Sequence, residues 1–126
     1  MFDIVGGFAR ERQLINVEYI QTDLLAEDFS KLGQFDTVTA IGVLEHFAEA
    51  EMYRVLVNLL SVTARRLIII VPYEQEPELV YGHLQLFTPE KLETLGKWCI
   101  QHWKGAGKMW LEQCVGGLLL VERVKQ

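Results

Sequence analysis

The sequence predicts an α/β fold with a mostly parallel sheet that finishes in an antiparallel last strand. Three observations carry this reading. An amphipathic helical stripe lies between two β-rich runs, the alternation that builds parallel strand–helix–strand units. One of those runs, Leu67-Ile68-Ile69-Ile70-Val71, is continuously apolar, as a strand covered by helices on both faces would be. Two strand-like segments then close the chain with no helix between them, the pattern of an antiparallel finish at a sheet edge.

Each element has its own signal. Val17 to Gln21 is β-rich and ends at Thr22-Asp23, so it reads as the first strand of the central sheet. Leu24 to Gly33 is a polar connection. Phe35 to Ile41 is β-branched and partly alternating, which predicts a second strand. Glu49 to Ala64 predicts a helix, because Met52, Val55, Leu56, Leu59 and Leu60 recur at i, i+3, i+4, i+7 and i+8. Arg66 to Val71 is the next strand, ended by Pro72. Thr88-Pro89-Glu90 opens a helix: Thr88 can cap, Pro89 suits the first helical position, and Glu90 suits the positive end of the dipole. Leu92, Leu95 and Cys99 then face inward. Cys99 to Trp103 and Leu118 to Val124 are the closing strands, and the Gly-rich stretch Gly105 to Gly117 between them carries no assignable pattern.

A chain of 126 residues supports a single domain with one core. Half of the residues are hydrophobic and 23% are charged, which is the balance of a folded globular protein. The net charge of -5 argues against a nucleic-acid backbone as main ligand, since phosphate needs a cationic surface. No apolar window is long enough to span a membrane, and the opening residues lack the pattern of a secretory signal. Cys99 and Cys114 form neither a CxxC pair nor a disulfide framework, so free thiols in a cytoplasmic protein are expected.

The run Phe35-Asp36-Thr37-Val38-Thr39-Ala40-Ile41-Gly42-Val43-Leu44-Glu45-His46-Phe47 resembles the fourth-strand signature of class I S-adenosylmethionine (SAM)-dependent methyltransferases, in which an FD-x-V strand runs into a VLEH-type turn. Asn16 to Asp23 resembles the third strand of that family, which ends in an acidic residue near the adenine. Gly82 to Leu92 resembles its GH-x-x-x-FTPEEL segment. Any one of these is a weak signal; three in order are a strong one. The resemblance covers roughly residues 9 to 124 and implies a Rossmann-like methyltransferase fold, with SAM as cofactor and a small molecule as methyl acceptor.

One departure is large. The family's glycine-rich first loop, with the helix and second strand that follow it, is truncated or degenerate here, so the fold is expected to be incomplete in its N-terminal half. Only Phe2-Asp3-Ile4-Val5-Gly6-Gly7-Phe8 stands in that place. It reads either as a degenerate first strand and loop, or as the end of the second strand with Asp3 as the ribose-binding acid. The second register fits Ala9-Arg10-Glu11-Arg12, which resembles the family's next helix. Residues 1 to 126 are therefore read as one partial methyltransferase-like domain.

The resemblance assigns Asp3, Gly6, Gly7, Asp23, Gly42 and Val43 to cofactor binding. Asp23 has an alternative role as a turn or cap residue. His46, Glu45 and His83 are the candidate catalytic residues. His46 suits a general base, since an unperturbed imidazole ionises near neutrality, or else caps and packs at the following helix. Glu45 is alternatively an N-terminal carboxylate of that helix. His83 reads either as a loop residue over the acceptor or as a structural histidine. Some methyltransferases of this superfamily hold a divalent metal with ExxEH plus a distant His or acid. Gly42 occupies the first Glu position here, which removes an oxygen ligand, and no metal site is expected. Trp98, Trp103 and Trp110 are packing residues or line a flat acceptor.

The alternative to an enzyme is an inactive methyltransferase remnant that serves self-association. Without the family's first strand, sheet edges are left unpaired and an apolar face uncovered, which predicts a homodimer.

Overall fold

The computed structural model describes residues 17–74, 79–113 and 116–124. Four strands and two α-helices follow one another as β1 (Phe35–Ile41), α1 (Glu49–Ser61), β2 (Thr63–Val71), α2 (Pro89–His102), β3 (Ala106–Gln113) and β4 (Gly117–Arg123). The sheet has the order β1-β2-β4-β3. β1 and β2 are parallel, as their connection through α1 requires. β4 is antiparallel to both β2 and β3.

Register places one row of side chains on the helix-bearing face. Val38 stands opposite Leu67, and Leu67 opposite Val121; Ala40, Ile69 and Leu119 line up in the same way. These residues join Met52, Val55, Leu56, Leu59 and Leu60 of α1 and Leu92, Leu95 and Cys99 of α2 in one buried cluster. Burying each such aliphatic side chain stabilises the fold by about 1.5–3 kcal/mol. Thr88 caps α2 as its sequence predicts: its hydroxyl accepts from the Lys91 N–H at 3.1 Å, with Pro89 in the first turn.

Four expectations need correction. Val17–Gln21 joins no ladder among the described residues, and Val17 and Ile20 are exposed. A β-rich composition becomes a strand only when a neighbour supplies the other half of its hydrogen bonds, and propensity alone does not. Cys99 to Trp103 is not a strand: α2 runs on to His102, because Leu92, Leu95, Cys99 and Trp103 continue one helical stripe. The unassigned Gly-rich stretch instead supplies β3. The apolar run in β2 is covered fully on one face only: Leu67, Ile69 and Val71 are buried, whereas Ile68 and Ile70 are half-buried. Finally, α1 stops at Ser61, since Thr63 is already drawn into β2 opposite Phe35.

The second face of the sheet is apolar and, among the described residues, open. Ile41, Ile70 and Leu118 form one row across it, and Ile68, Leu120 and Trp110 another. Ile41 and Trp110 are 62% and 60% exposed. Of the described strands, only β2 pairs with β1, so the other edge of β1 is open among the described residues.

Candidate functional site

The candidate site grows from the carboxyl end of β1. Gly42 still donates its N–H to Ile70 O at 3.0 Å, but its φ of +66° turns the chain off the sheet, a conformation that glycine adopts at little cost. The chain then closes a short 3-10 turn, Leu44–His46, in which His46 N–H donates to Val43 O and Phe47 N–H to Leu44 O. Leu44 is fully buried and Val43 packs against the core, so the turn is pinned. Glu45 is thereby carried inward, with its side chain only 4% exposed.

A second segment, Gly82 to Phe87, lies over that turn. Leu84 N–H donates to Glu45 O at 2.7 Å. The buried Gln85 amide donates to both Leu44 O (3.1 Å) and Phe47 O (2.9 Å). Phe87 is buried in the core and anchors the segment. Two stretches of chain far apart in sequence are thus fastened by three hydrogen bonds, and His83 is brought to Glu45.

The resulting cluster is compact. His46 Nε2 and His83 Nε2 each lie 3.9 Å from Glu45 Oε2. The two imidazoles meet edge to face, with centroids 5.0 Å apart. Each ring is held through its other nitrogen. His46 Nδ1 lies 3.1 Å from the Gly82 carbonyl, and His83 Nδ1 lies 3.0 Å from Glu74 Oε1. A carbonyl and a carboxylate only accept, so both rings carry hydrogen on Nδ1 and present an Nε2 lone pair when neutral. Glu45 Oε1 is buried without a hydrogen-bond partner.

Of the residues singled out in the sequence, Glu45, His46 and His83 therefore come together. Gly42 borders them: a Cβ built on it would lie 3.5 Å from Glu45 Oε2. Asp23 is elsewhere. Its carboxylate accepts from the Leu25 N–H at 2.9 Å, the turn role that its sequence allows. The Leu24 and Ala26 carbonyls beside it are held by Asn58, in the last turn of α1, whereas the Glu45–His46 turn precedes the first turn of that helix. The stretch of helix between Glu49 and Asn58 is about 14 Å long. Asp3, Gly6, Gly7 and Cys114 lie outside the described residues. Trp103 packs in the core, Trp98 stacks on His102, and Trp110 is exposed on β3.

Glu74 and Gln85 are site residues that the sequence reading missed. Glu74 follows β2 as Glu45 follows its parallel neighbour β1, and carboxyl ends of adjacent parallel strands are where α/β sheets gather ligands. That placement was the available signal. Gln85 gives none, because its role depends on which turn it crosses.

No protein-family model and no curated protein matches the sequence. Solved structures do match. An O-methyltransferase family protein from Burkholderia thailandensis superposes with a TM-score of 0.70 at 16% identity, over 96% of this chain and 40% of that one. Magnesium protoporphyrin IX methyltransferase from Synechocystis PCC 6803 superposes in its S-adenosylhomocysteine (SAH)-bound form with a TM-score of 0.58 at 18% identity, over 94% of this chain and 57% of that one. Its SAM-bound form gives 0.54 at 19% identity, over 94% of this chain and 52% of that one. The chain thus spans about half the length of the structures it resembles. In its strand order, its parallel-then-antiparallel sheet and this likeness, the chain has a class I SAM-dependent methyltransferase-like fold.

Proposed function

We propose that this chain is a methyltransferase domain that transfers the methyl group of SAM to an oxygen or nitrogen of a small molecule. The observation that supports it is the convergence of Glu45, His46 and His83 just beyond the carboxyl end of β1. Crevices at the carboxyl ends of parallel strands are where folds of this class bind ligands. Methyl transfer is an in-line displacement that needs positioning and, for a hydroxyl or amine acceptor, loss of one proton. His46 is suited to that proton: its Nδ1–H is held by Gly82, its Nε2 lone pair is free, and its side chain is 38% exposed. In this reading the acceptor attacks the methyl carbon, the carbon–sulfur bond breaks to leave SAH, and the acceptor's proton passes to His46 Nε2. Gly42 and Val43, at the turn after β1, belong to the cofactor side; the sequence resemblance alone gives Asp3, Gly6 and Gly7 a cofactor role. Asp23 was expected beside Glu45 and His46; it lies instead by the last turn of α1, and only its turn role is supported. The acidic net charge supports a small molecule over a nucleic acid as acceptor. Cys99, a buried free thiol, fits a cytoplasmic setting.

A second reading rests on a different observation, the β1 edge that is unpaired among the described residues and the apolar face carrying Ile41 and Trp110. These features suit an inactive, self-associating remnant. Calorimetric titration of SAM and SAH into the purified chain separates the two. Micromolar binding is expected for the methyltransferase; no heat at millimolar ligand would overturn it in favour of the remnant.

A further inference from the structure

We infer that the cleft between the ends of α1 and α2 is a second ligand site, one that takes a single-ring aromatic carboxylate with Arg123 as its anchor. The cleft measures about 230 Å³ and lies among Val57 and Leu60 of α1, Trp98 and His102 of α2, and Trp103 and Arg123. Gln34 and Ser61 also border it, and Gln34 directly precedes β1. The cleft is therefore at the amino end of β1, whereas Glu45 and His46 follow its carboxyl end, roughly 20 Å away along the strand. It shares no residue with the proposed methyl-transfer site and stands whether or not that reading holds.

Three features point to the ligand. The first is charge. Arg65 and Arg66 of β2 pair with Asp36 and Glu122. Arg123 has no carboxylate partner among the described residues: its Nη1 reaches the Ala64 carbonyl at 3.3 Å, and its Nε is buried without an acceptor. A guanidinium is a planar fork of donors that matches a carboxylate, and here the fork is largely unused. Trp103 Nε1–H, in the ring beneath Arg123, is likewise buried without an acceptor. Two neighbouring donors in that state mark a place where an acceptor is wanted. The second feature is the apolar wall. Val57 is 54% exposed and Trp98 half-buried, so a ring seated between them covers surface now left to water. The third is rigidity. His102 stacks on Trp98 with centroids 4.4 Å apart, and its Nδ1–H donates to Trp98 O at 2.8 Å. Tyr53 leans on the same indole at 5.1 Å, and Arg123 lies 4.5 Å over the buried Trp103 ring. Side chains held in this way keep the cleft formed before any ligand arrives.

Size selects within the class. Pockets for drug-sized ligands begin at roughly 300 Å³, so this cleft holds one ring and a short polar group. A flat ring against indole and imidazole gains more than its buried area alone supplies. α1 and α2 both end here, and a helix carboxyl end disfavours an anion. Its partial charge is only about half a unit, however, and fades within one turn. Carbonyls of those ends are also taken: Ser61 O accepts from Gln34 Nε2, and Cys99 O from the Trp103 N–H. The full charge of Arg123 outweighs them.

The test uses the whole chain, labelled with 15N, and benzoate as the probe in the absence of SAM. Benzoate is expected to shift the indole N–H signals of Trp98 and Trp103 saturably, with a dissociation constant of about 1 mM or below, and to leave that of Trp110 in place. Benzamide has the same shape without the charge and should bind about tenfold more weakly. Cyclohexanecarboxylate, charged but not flat, should bind several-fold more weakly. Arg123→Gln is expected to weaken benzoate about 10–100-fold, the worth of a charge-assisted pair. Arg123 packs on Trp103, so Val57→Glu, on the exposed wall, supplies the same loss by repulsion if that variant fails to fold. Lys108→Gln removes a cation outside the cleft and binds as the parent does. The inference is overturned by any of three results: no saturable shift in the parent chain, either analogue binding as tightly as benzoate, or unchanged binding in folded Val57→Glu.

Discussion

The His83 ring and the Glu74 carboxylate are joined through Nδ1 at 3.0 Å, with both side chains mostly buried. This pairing decides which nitrogen of His83 is turned to Glu45. Glu74→Ala is therefore expected to release the His83 ring and shift its imidazole NMR signals while the fold is retained. Two-dimensional NMR of the histidine rings checks this. Unmoved His83 signals would show that the carboxylate does not orient the ring.

Gly82 is the matching support for His46. Its φ is +75°, and a Cβ there would come within 3.3 Å of His46 Nδ1. Gly82→Ala is expected to destabilise the fold by about 1–2 kcal/mol through the left-handed backbone alone. It should also displace the His46 ring. Thermal melting together with the imidazole NMR signals of His46 tests both effects; a variant with parental melting and an unmoved His46 would contradict the geometry.

Leu56 is fully buried in the α1 stripe, within the core cluster. Leu56→Ala is expected to cost about 2–4 kcal/mol. Chemical denaturation should show the loss as a lower midpoint with a similar slope. An unchanged midpoint would mean that this stripe is not the core face.

Burial pushes the Cys99 thiol from its ordinary 9.0 up to about 12. The native chain should therefore leave Cys99 unmodified by iodoacetamide at pH 8, and peptide mapping after denaturation should find it reactive. The same shift sets a pH dependence. The unfolded thiol ionises near 9 while the folded one stays protonated, so stability is complete below that pH and falls as pH rises towards 12. Cys99→Ala should flatten this alkaline slope. An identical slope in the variant would assign it to other groups.

The β1 edge, open among the described residues, and the apolar row through Ile41, Ile70 and Leu118 favour the homodimer proposed from the sequence. Light scattering at micromolar concentration should give about twice 14.5 kDa. Ile41→Lys on that face is expected to shift the population to monomer. A monomeric, cooperatively folded parent chain would refute the dimer.

Much of the fold was legible because it is written in local periodicity. The Phe35–Ile41 strand matches its predicted bounds, the Glu49 helix start and the Thr88-Pro89 cap fall where predicted, and the antiparallel finish is present. Misread segments were those whose state depends on a partner. Val17–Gln21 has strand composition but joins no ladder among the described residues, and Cys99–Trp103 is too short for its own pattern to show that it continues a helix.

The sequence by itself determined that Glu45 and His46 follow a strand end, because the strand and the Gly42 turn are adjacent in the chain. Only the tertiary structure decided that His83 joins them, that Glu74 and Gly82 set the ring nitrogens, and that Glu45 is buried with an oxygen unpaired. The reason is physical: Gln85 and the Leu84 N–H fasten one distant segment over another, and such a crossing leaves no period in the sequence to read.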